Sequence, residues 1–347
     1  MLNKIKFLIL FVLIIFVIAN CKFKLTGPSD CTPDSTNSDL ASAVKTTWDP
    51  YVAVHPFMGD QRPHLLKLIQ AGTLRGVRLE GLDDSRTQEF ARWFQSHGVE
   101  VLGLFENEYL REPNVCEILS QHVISNPQIT AWEIGNEVNN FVGMEAGEYI
   151  SIFRKLFYYA RQHHPHIAIV SQAPVGNGNG ADILRRMIDA GLDRLCYEGL
   201  PIVAIHFYSW KSLRLGEFQN QIARLPISTR VWITETNTMP PNWSEQVEYV
   251  KKVYPKLKSS LRAERIYWYV FSGERSDFSL VKGLVGGLPI EYSPLMNLLV
   301  GNFTTESVIN SNVDYEFFSN NELDNSNRPI TLPEQRLRRN KKDRRIK

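Results

Sequence analysis

Two acidic side chains, 98 residues apart, each follow a strongly apolar segment of the chain. Glu137 comes after residues 129–135, and Glu235 comes after residues 230–234. A carboxylate at the end of an apolar segment is costly unless water or a hydrogen bond reaches it, so each is expected to face a cleft. Two carboxylates across one pocket are the minimum requirement for cleaving a glycosidic bond, because one protonates the leaving oxygen while the other attacks the anomeric carbon or activates water.

Other chemistries have weaker support in the sequence. The cysteines and histidines show no spacing typical of a zinc site, and no Gly-x-Ser-x-Gly segment is present, so neither a metal site nor a serine nucleophile is expected. Residues 176–181 fit a loose G-x-G-x-x-A pattern, but they lie away from the preceding strand candidate and predict a loop at a cleft rim. Chemistry with two carboxylates needs no organic cofactor, and none is expected.

The elements that must position these residues form a repeating pattern. Between residues 48 and 301, eight apolar, β-branched segments alternate with amphipathic segments of helical period. The pattern predicts a single catalytic (β/α)8 TIM barrel over residues 45–300, with an open doubly wound sheet as the alternative. In such a barrel the active site forms where the strands end. The strand candidates are residues 51–56, 76–80, 99–105, 129–135, 166–171, 202–208, 230–234 and 265–271.

Further residues with binding or packing potential lie on these strands. Glu133 is acidic and belongs to the fourth strand, but we expect it to make a structural hydrogen bond inside the barrel. Trp132 and Trp232 are expected to pack in the core. The residues predicted at the strand ends, besides the two carboxylates, are Arg78, Asn136, His206, Tyr208 and Trp268.

The order of these residues resembles clan A of the glycoside hydrolases, which are barrel enzymes that retain the anomeric configuration. The resemblance covers residues 48–300 and rests on the Asn136-Glu137 pair, the His-x-Tyr segment 206–208 and Glu235. It implies that Glu137 is the general acid and base and that Glu235 is the nucleophile. It also implies that Asn136 and His206 belong to the substrate site, with Asn136 bound to the 2-hydroxyl of the sugar.

The same resemblance assigns three supporting roles. Tyr208 would orient the nucleophile, and Arg78 would pair with it and keep it ionised. Trp268 would be an aromatic platform for a sugar ring. The rim residues Tyr109, Trp210 and Trp243 could either stack on sugars or pack within the protein.

The sequence places the chain less clearly within the clan. Family 5 cellulases usually carry a histidine after the third strand, whereas this chain has Phe105-Glu106-Asn107, and the segment 132–137 is closer to the family 39-like end of the clan. The predicted function is a retaining glycosidase that cleaves β-linked O-glycosidic bonds in a poly- or oligosaccharide. The alternatives are a non-catalytic surface lipoprotein that binds glycans and a transglycosylase that passes the sugar to another sugar.

The amino terminus predicts export. Lys4 and Lys6 precede thirteen apolar residues, 7–19, a run too short for a membrane span and typical of a signal peptide over residues 1–20. The run ends before Cys21 in a segment that resembles a bacterial lipobox, with Asn20 as a departure from it. We therefore expect Cys21 to be lipidated and to hold the protein at the bacterial cell envelope. Simple secretion or an uncleaved anchor are the alternatives, and residues 21–44 are expected to be a tether.

The formal charge of +2 conceals opposite contributions. Residues 335–347 carry a net charge of +7 and are expected to form a disordered basic tail after a polar extension, residues 301–334. The tail could be solvated or attracted to an anionic lipid or polysaccharide surface. Residues 21–334 carry a net charge of −7, which argues against a nucleic-acid partner. The expected partners are a carbohydrate and a membrane, with the protein as a monomer.

Three cysteines follow Cys21. Cys116 and Cys196 lie in apolar helical patterns and are expected to be buried thiols, whereas the state of Cys31 stays open.

Overall fold

Eight parallel strands form the centre of the protein. The computed structural model describes residues 35–174, 179–199, 201–208, 215–273, 277–284 and 289–302, all within one compact unit, Met1–Ser311. Each of the eight strand candidates overlaps an observed strand. The strands are β1 (Tyr51–Val54), β2 (Gly76–Leu79), β3 (Glu100–Phe105), β4 (Ala131–Ile134), β5 (Ala168–Ser171), β6 (Val203–Tyr208), β7 (Val231–Asn237) and β8 (Ala263–Trp268).

The sheet closes on itself. Its order is β5-β4-β3-β2-β1-β8-β7-β6, and all of these neighbours pair in parallel. Between the two outer strands of this order, a parallel bridge joins Val170 to Ile202, and the Ser171 amide donates to the Ile202 carbonyl at 2.8 Å. The sheet is therefore a barrel, as the repeating pattern predicted, and the open-sheet alternative is wrong.

Helices follow the strands and cover the outside of the barrel. Local sequence explains where they begin: the helix Ser85–Ser96, for example, starts after Asp84, whose side chain accepts hydrogen bonds from the amides of Arg86 and Thr87. The helices are α1 (Ser35–Thr47), α2 (Arg62–Gln70), α3 (Ser85–Ser96), α4 (Val115–Ser125), α5 (Val138–Phe141), α6 (Ala146–His163), α7 (Gly180–Met187), α8 (Asp193–Glu198), α9 (Leu215–Ile222), α10 (Gln246–Leu261) and α11 (Pro294–Val300). A short antiparallel pair, β9 (Val281–Lys282) and β10 (Glu291–Tyr292), precedes α11.

The first described helix corrects one boundary. Residues 35–44 belong to α1, which packs against α10 and α11, so the prediction of a tether is wrong for this part of the chain. Ala41 and Val44 are buried, and Trp48 stacks on Tyr254 with ring centroids 5.9 Å apart. Burial of these apolar side chains attaches α1 to the barrel. The predicted signal peptide, Cys21, and residues 303–347 of the extension and tail lie outside the described residues.

The core has two layers, and the layer to which a strand residue belongs shows which way its side chain faces. One buried cluster consists of residues on the strands or next to their ends, including Leu102, Trp232 and Tyr267, and fills the inside of the barrel. The larger cluster joins the outer faces of the strands to the helices. On β8, Tyr267 belongs to the inner cluster and Trp268 to the outer one, as the alternation of side chains along a strand requires.

The two helical cysteines are buried free thiols, as expected: Cys116 on α4 and Cys196 on α8. Among the described helices, none combines the length and the apolar character needed to cross a bilayer.

Candidate active site

The predicted site residues from four strands meet at one end of the barrel. Arg78 is the last residue but one of β2, Glu137 follows β4, and Glu235 lies near the end of β7. All three side chains are buried, with 3%, 5% and 6% of their residue surfaces exposed. A charged group at such depth requires partners, and the hydrogen bonds described below supply them.

The turn after β4 directs Glu137 into this site. Gly135 has φ of +81°, and Glu137 has φ of +45° and ψ of +44°, the left-handed region that residues other than glycine seldom adopt. A side chain at Gly135 would meet the Val138 side chain at 2.6 Å. Left-handed backbone at a non-glycine residue is often found at functional sites, and here it occurs at the predicted general acid.

Arg78 connects Glu133 to two of the predicted site residues. Its Nε donates to Glu133 Oε2 at 2.5 Å, its Nη1 to Glu235 Oε1 at 2.9 Å, and its Nη2 to Asn136 Oδ1 at 3.0 Å. Burial acts to lower the pKa of Arg78, but the charges of Glu133 and Glu235 outweigh it and raise that pKa. The guanidinium is therefore a permanent cation next to Glu235. Glu133 also accepts from Thr234 Oγ1 at 2.9 Å, in agreement with its predicted structural role.

Replacement of Arg78 by methionine is expected to lower the free energy of unfolding by about 3–5 kcal/mol, because it leaves buried Glu133 without its cation. Urea denaturation at neutral pH measures this change. Arg111→Met is the matched control, since Arg111 pairs with Glu148 on the surface, where 51% and 43% of the two side chains are exposed. The control is expected to unfold like the wild type, and equal losses in both variants would contradict the prediction.

Glu235 receives hydrogen bonds on both oxygens. Arg78 binds Oε1, and the Tyr208 hydroxyl donates to Oε2. Burial raises the pKa of Glu235, but the charges of His206 and Arg78 and the hydrogen bond from Tyr208 outweigh burial and hold that pKa below its ordinary value. Glu235 is therefore ionised at neutral pH, which is what a carboxylate nucleophile requires.

His206 lies between the two catalytic candidates. Its Nδ1 is 2.8 Å from Glu137 Oε1, and its Nε2 is 3.6 Å from Glu235 Oε1. Burial lowers the pKa of His206, while the charge of Glu235 and the hydrogen bond to Glu137 raise it, and the net effect is a raised pKa. One oxygen of Glu137 and one of Glu235 lie within 4.8 Å of each other and of His206. Glycosidases that retain configuration hold their carboxyl groups ~5–5.5 Å apart, and those that invert it hold them ~6.5–9.5 Å apart.

The same three residues are the one group among the described side chains with enough metal donors in reach of each other. Their oxygens are already engaged, because Glu235 binds Arg78 and Tyr208 and Glu137 binds His206. The guanidinium 2.9 Å from Glu235 Oε1 would repel a metal cation bound there. The donor set therefore fits a pair of reacting carboxylates better than a metal centre.

Comparisons with known proteins show similarity at the level of the fold. No protein-family model and no curated protein matches the chain. Among solved structures, a GH128 (subgroup II) endo-β-1,3-glucanase from Sorangium cellulosum aligns with a TM-score of 0.50 and 15% identity over 74% of this chain and 97% of its own. The chain shares the fold of this glucanase. An intracellular xylanase from Thermoanaerobacterium saccharolyticum aligns at a TM-score of 0.49 with 15% identity over 75% of this chain and 98% of its own.

The structure corrects the position of Trp268. Its side chain is fully buried in the outer core, where the ring contacts Trp48 and Tyr249 at centroid distances of 6.0 and 6.1 Å. It cannot be a sugar platform in the cleft, because it faces the helices. The aromatic residue at the site is the next one, Tyr269, which is half-buried and packs edge-on against Tyr208 at 6.0 Å.

Asn136 is fixed at its backbone and its side chain. Asn107, in a short turn after β3, accepts from the Asn136 amide at 2.7 Å and donates to the Asn136 carbonyl at 2.6 Å. Since Arg78 binds the side-chain oxygen, the amide nitrogen of Asn136 is the end that can donate to a sugar hydroxyl. No role was predicted for Asn107, although its place after the third strand was an available signal.

Polar and aromatic residues from other strands extend the site. His55 Nδ1, after β1, lies 2.5 Å from Glu80 Oε1, after β2, and the His55 ring meets Tyr269 edge-on at 5.7 Å. Of the rim aromatics, Tyr109 donates its hydroxyl to Asp83 at 3.1 Å, and Trp243 donates its indole N–H to the Ser279 carbonyl at 2.6 Å. Trp210 lies outside the described residues.

Proposed function

We propose that this protein is a retaining glycoside hydrolase that cleaves β-linked O-glycosidic bonds in a poly- or oligosaccharide. The observation that carries the proposal is the pair Glu137 and Glu235 at the strand ends of the barrel, where one oxygen of each lies within 4.8 Å of one oxygen of the other. One member of the pair is kept ionised by Arg78 and Tyr208, as a nucleophile must be. The similarity in fold to an endo-β-1,3-glucanase supports a β-linked polysaccharide and makes β-1,3-glucan the first polymer to test.

The first chemical step breaks the glycosidic bond. A carboxylate oxygen of Glu235 attacks the anomeric carbon and forms an ester, while the bond from that carbon to the leaving oxygen breaks. Glu137 gives its proton to the leaving oxygen. His206 Nδ1 lies 2.8 Å from Glu137 Oε1, and Asn140 Nδ2 donates to Oε2 at 3.5 Å, so Oε2 is the more weakly held oxygen and the one to which we assign this proton. The amide of Asn136 would bind the 2-hydroxyl next to the reacting carbon.

The second step restores both carboxyl groups. Glu137, now ionised, takes a proton from a water molecule, and the water oxygen attacks the anomeric carbon. The ester bond breaks, and its electron pair returns to Glu235, where Arg78 is in place to bind the charge. Two displacements at the same carbon retain its configuration.

The proposal is tested with the purified domain, a panel of aryl β-glycosides, and β-1,3-glucan with other β-linked polysaccharides. Proton NMR during the reaction identifies the first anomer released, and the β-anomer is expected. Release of the α-anomer would rule out retention. Binding across the panel without turnover would favour a glycan-binding protein, and products longer than an added acceptor oligosaccharide would identify a transglycosylase.

The cellular location is part of the proposal. The apolar leader and Cys21 support an exported protein with a lipid anchor at the bacterial cell envelope. Replacement of Cys21 by alanine in the full chain is then expected to move the protein from the membrane fraction to the soluble fraction. Retention of the variant in the membrane would indicate an uncleaved leader, and a soluble wild type would indicate simple secretion.

A further inference from the structure

A short segment after β8 is held at its backbone by side chains from other parts of the barrel. Asp277, Phe278 and Ser279 present three consecutive backbone carbonyls, and each accepts hydrogen bonds from side-chain N–H groups. The donors lie on β7, on β8 and around the start of α10, so the segment is fastened to the part of the barrel that carries Glu235. We call this set of bonds the carbonyl clamp.

The central carbonyl of the clamp has two donors. Asn237 Nδ2 donates to the Phe278 carbonyl at 2.7 Å, and Trp268 Nε1 donates to the same oxygen at 3.0 Å. Asn237 Nδ2 also donates to the Tyr269 carbonyl. The side-chain oxygen of Asn237 accepts from the Thr238 amide at 2.7 Å, which fixes the orientation of its amide group.

The two flanking carbonyls accept hydrogen bonds from side chains on α10 and on the turn before it. Gln246 Nε2 donates to the Asp277 carbonyl at 2.9 Å and to the Ser279 carbonyl at 3.2 Å. Trp243 Nε1 donates to the Ser279 carbonyl at 2.6 Å. Asn237, Gln246 and Trp268 are fully buried, whereas Asp277 and Phe278 are half-buried, so these bonds are partly shielded from water.

The clamp fixes the aromatic ring that supports Tyr208. The Phe278 ring packs against Tyr208 at a centroid distance of 6.0 Å and against Tyr269 at 6.1 Å. Tyr208 and Tyr269 also pack edge-on against each other at 6.0 Å. The three rings restrict one another, and Tyr208 is the member whose hydroxyl binds Glu235 Oε2.

We propose that Asn237 and Trp268 are positioning residues for the nucleophile. Their hydrogen bonds fix the backbone at Phe278 and Tyr269, and the rings of these two residues hold Tyr208. Tyr208 in turn binds Glu235. This inference rests on the proposed role of Glu235. It gives Trp268 a function in the reaction through its indole N–H, although its ring does not reach the cleft. If the clamp only stabilised the fold, its loss would leave the ionisation of Glu235 unchanged.

The test compares Trp268→Phe and Asn237→Ala with Tyr208→Phe, which removes the final hydrogen bond directly. Trp132→Phe is the matched control, because Trp132 is equally buried on β4 and its indole nitrogen finds no hydrogen-bond partner among the described residues. For each variant kcat and KM are measured against pH with aryl glycosides of good and poor leaving groups. Thermal unfolding shows whether each variant is folded.

In the two clamp variants we expect kcat/KM to fall about tenfold with little change in KM. The acid limb of the plot of kcat/KM against pH is expected to move up by about one pH unit, as in Tyr208→Phe. The loss is expected to be equal for good and poor leaving groups, because the nucleophile acts on both. Trp132→Phe is expected to show neither effect. A wild-type pH profile in folded clamp variants would overturn the proposal and leave the proposed function intact.

Two further measurements separate the possible failures. Phe278→Leu tests the same set of contacts from the loop side, should Asn237→Ala or Trp268→Phe not fold, and the same shift of the acid limb is expected. If the wild type cleaves no glycoside, the proposed function fails. The proposed role of the clamp is then tested by NMR titration of carbon-13-labelled glutamate, and the variant Glu235→Gln identifies the Glu235 signal. A higher Glu235 pKa in the clamp variants supports the proposed role, and an unchanged pKa overturns it.

Discussion

Replacement of Glu235 by alanine is expected to lower kcat/KM by roughly 10⁵-fold or more, because the covalent step loses its nucleophile. Added azide should restore part of the rate, since a small anion can occupy the space that the carboxylate leaves and attack the same face of the anomeric carbon. From a β-glycoside the product is then the α-glycosyl azide. Proton NMR identifies it through the coupling constant of the anomeric proton.

The control for this experiment is Glu89→Ala. Glu89 lies on α3 and pairs with Arg62 at the surface, where 61% of its side chain is exposed, so wild-type kinetics are expected. If Glu235→Ala kept more than a tenth of the wild-type rate, or if azide gave the β-glycosyl azide, Glu235 would not be the nucleophile.

The pH profile of the wild type reports on the same residue. Burial acts to raise the pKa of Glu235, but His206, Arg78 and Tyr208 hold it below the ordinary value. The acid limb of kcat/KM is therefore expected below about pH 4.3, the ordinary glutamate value, because the nucleophile stays ionised down to its lowered pKa. An acid limb above pH 5 would show that a different group controls the ionisation.

Replacement of Glu137 by alanine is expected to have an effect that depends on the leaving group. With a poor leaving group kcat/KM should fall by roughly 10²–10⁴-fold, because general acid catalysis is lost. With a dinitrophenyl leaving group, which departs without a proton, the first step should remain fast and the covalent intermediate should accumulate as a burst. Azide is expected to release it as the β-glycosyl azide, the opposite anomer from the Glu235 variant.

Glu89→Ala serves as the control here as well, with no burst expected. A Glu137→Ala variant that lost the same factor for good and poor leaving groups would contradict the role of general acid. Two alanine variants that yield the same azide anomer would contradict the assignment of the two carboxylates.

Much of the architecture could be predicted because it is periodic. Eight repeats of an apolar strand and an amphipathic helix leave few arrangements that bury both, and the closed barrel is one of them. The same reasoning placed Arg78, Glu137 and Glu235 at one edge, since parallel strands end together. The start of α1 could not be predicted, because polar residues 35–39 fit a tether as well as the first turns of a helix.

Trp268 shows why the sequence could not resolve the site completely. Neighbouring side chains on a strand point to opposite faces, so an error of one residue moves a ring from the cleft to the core. The register between β7 and β8 also shifts between Ile233 and Thr236, and such a shift is not visible in the sequence pattern. The carbonyl clamp and the bonds of Asn107 join segments that are distant in sequence and become neighbours only in the folded chain.

The position of Glu133 has a consequence for the covalent intermediate. When the proposed ester forms, Glu235 loses its negative charge, and a guanidinium paired with Glu235 alone would then be a buried cation without a counter-ion. Glu133 binds the Nε edge of Arg78 at 2.5 Å and takes no part in the bond changes, so Arg78 keeps a counter-ion while the sugar is attached. The intermediate therefore escapes an electrostatic penalty, and Arg78 stays in place to receive the carboxylate when water releases the sugar.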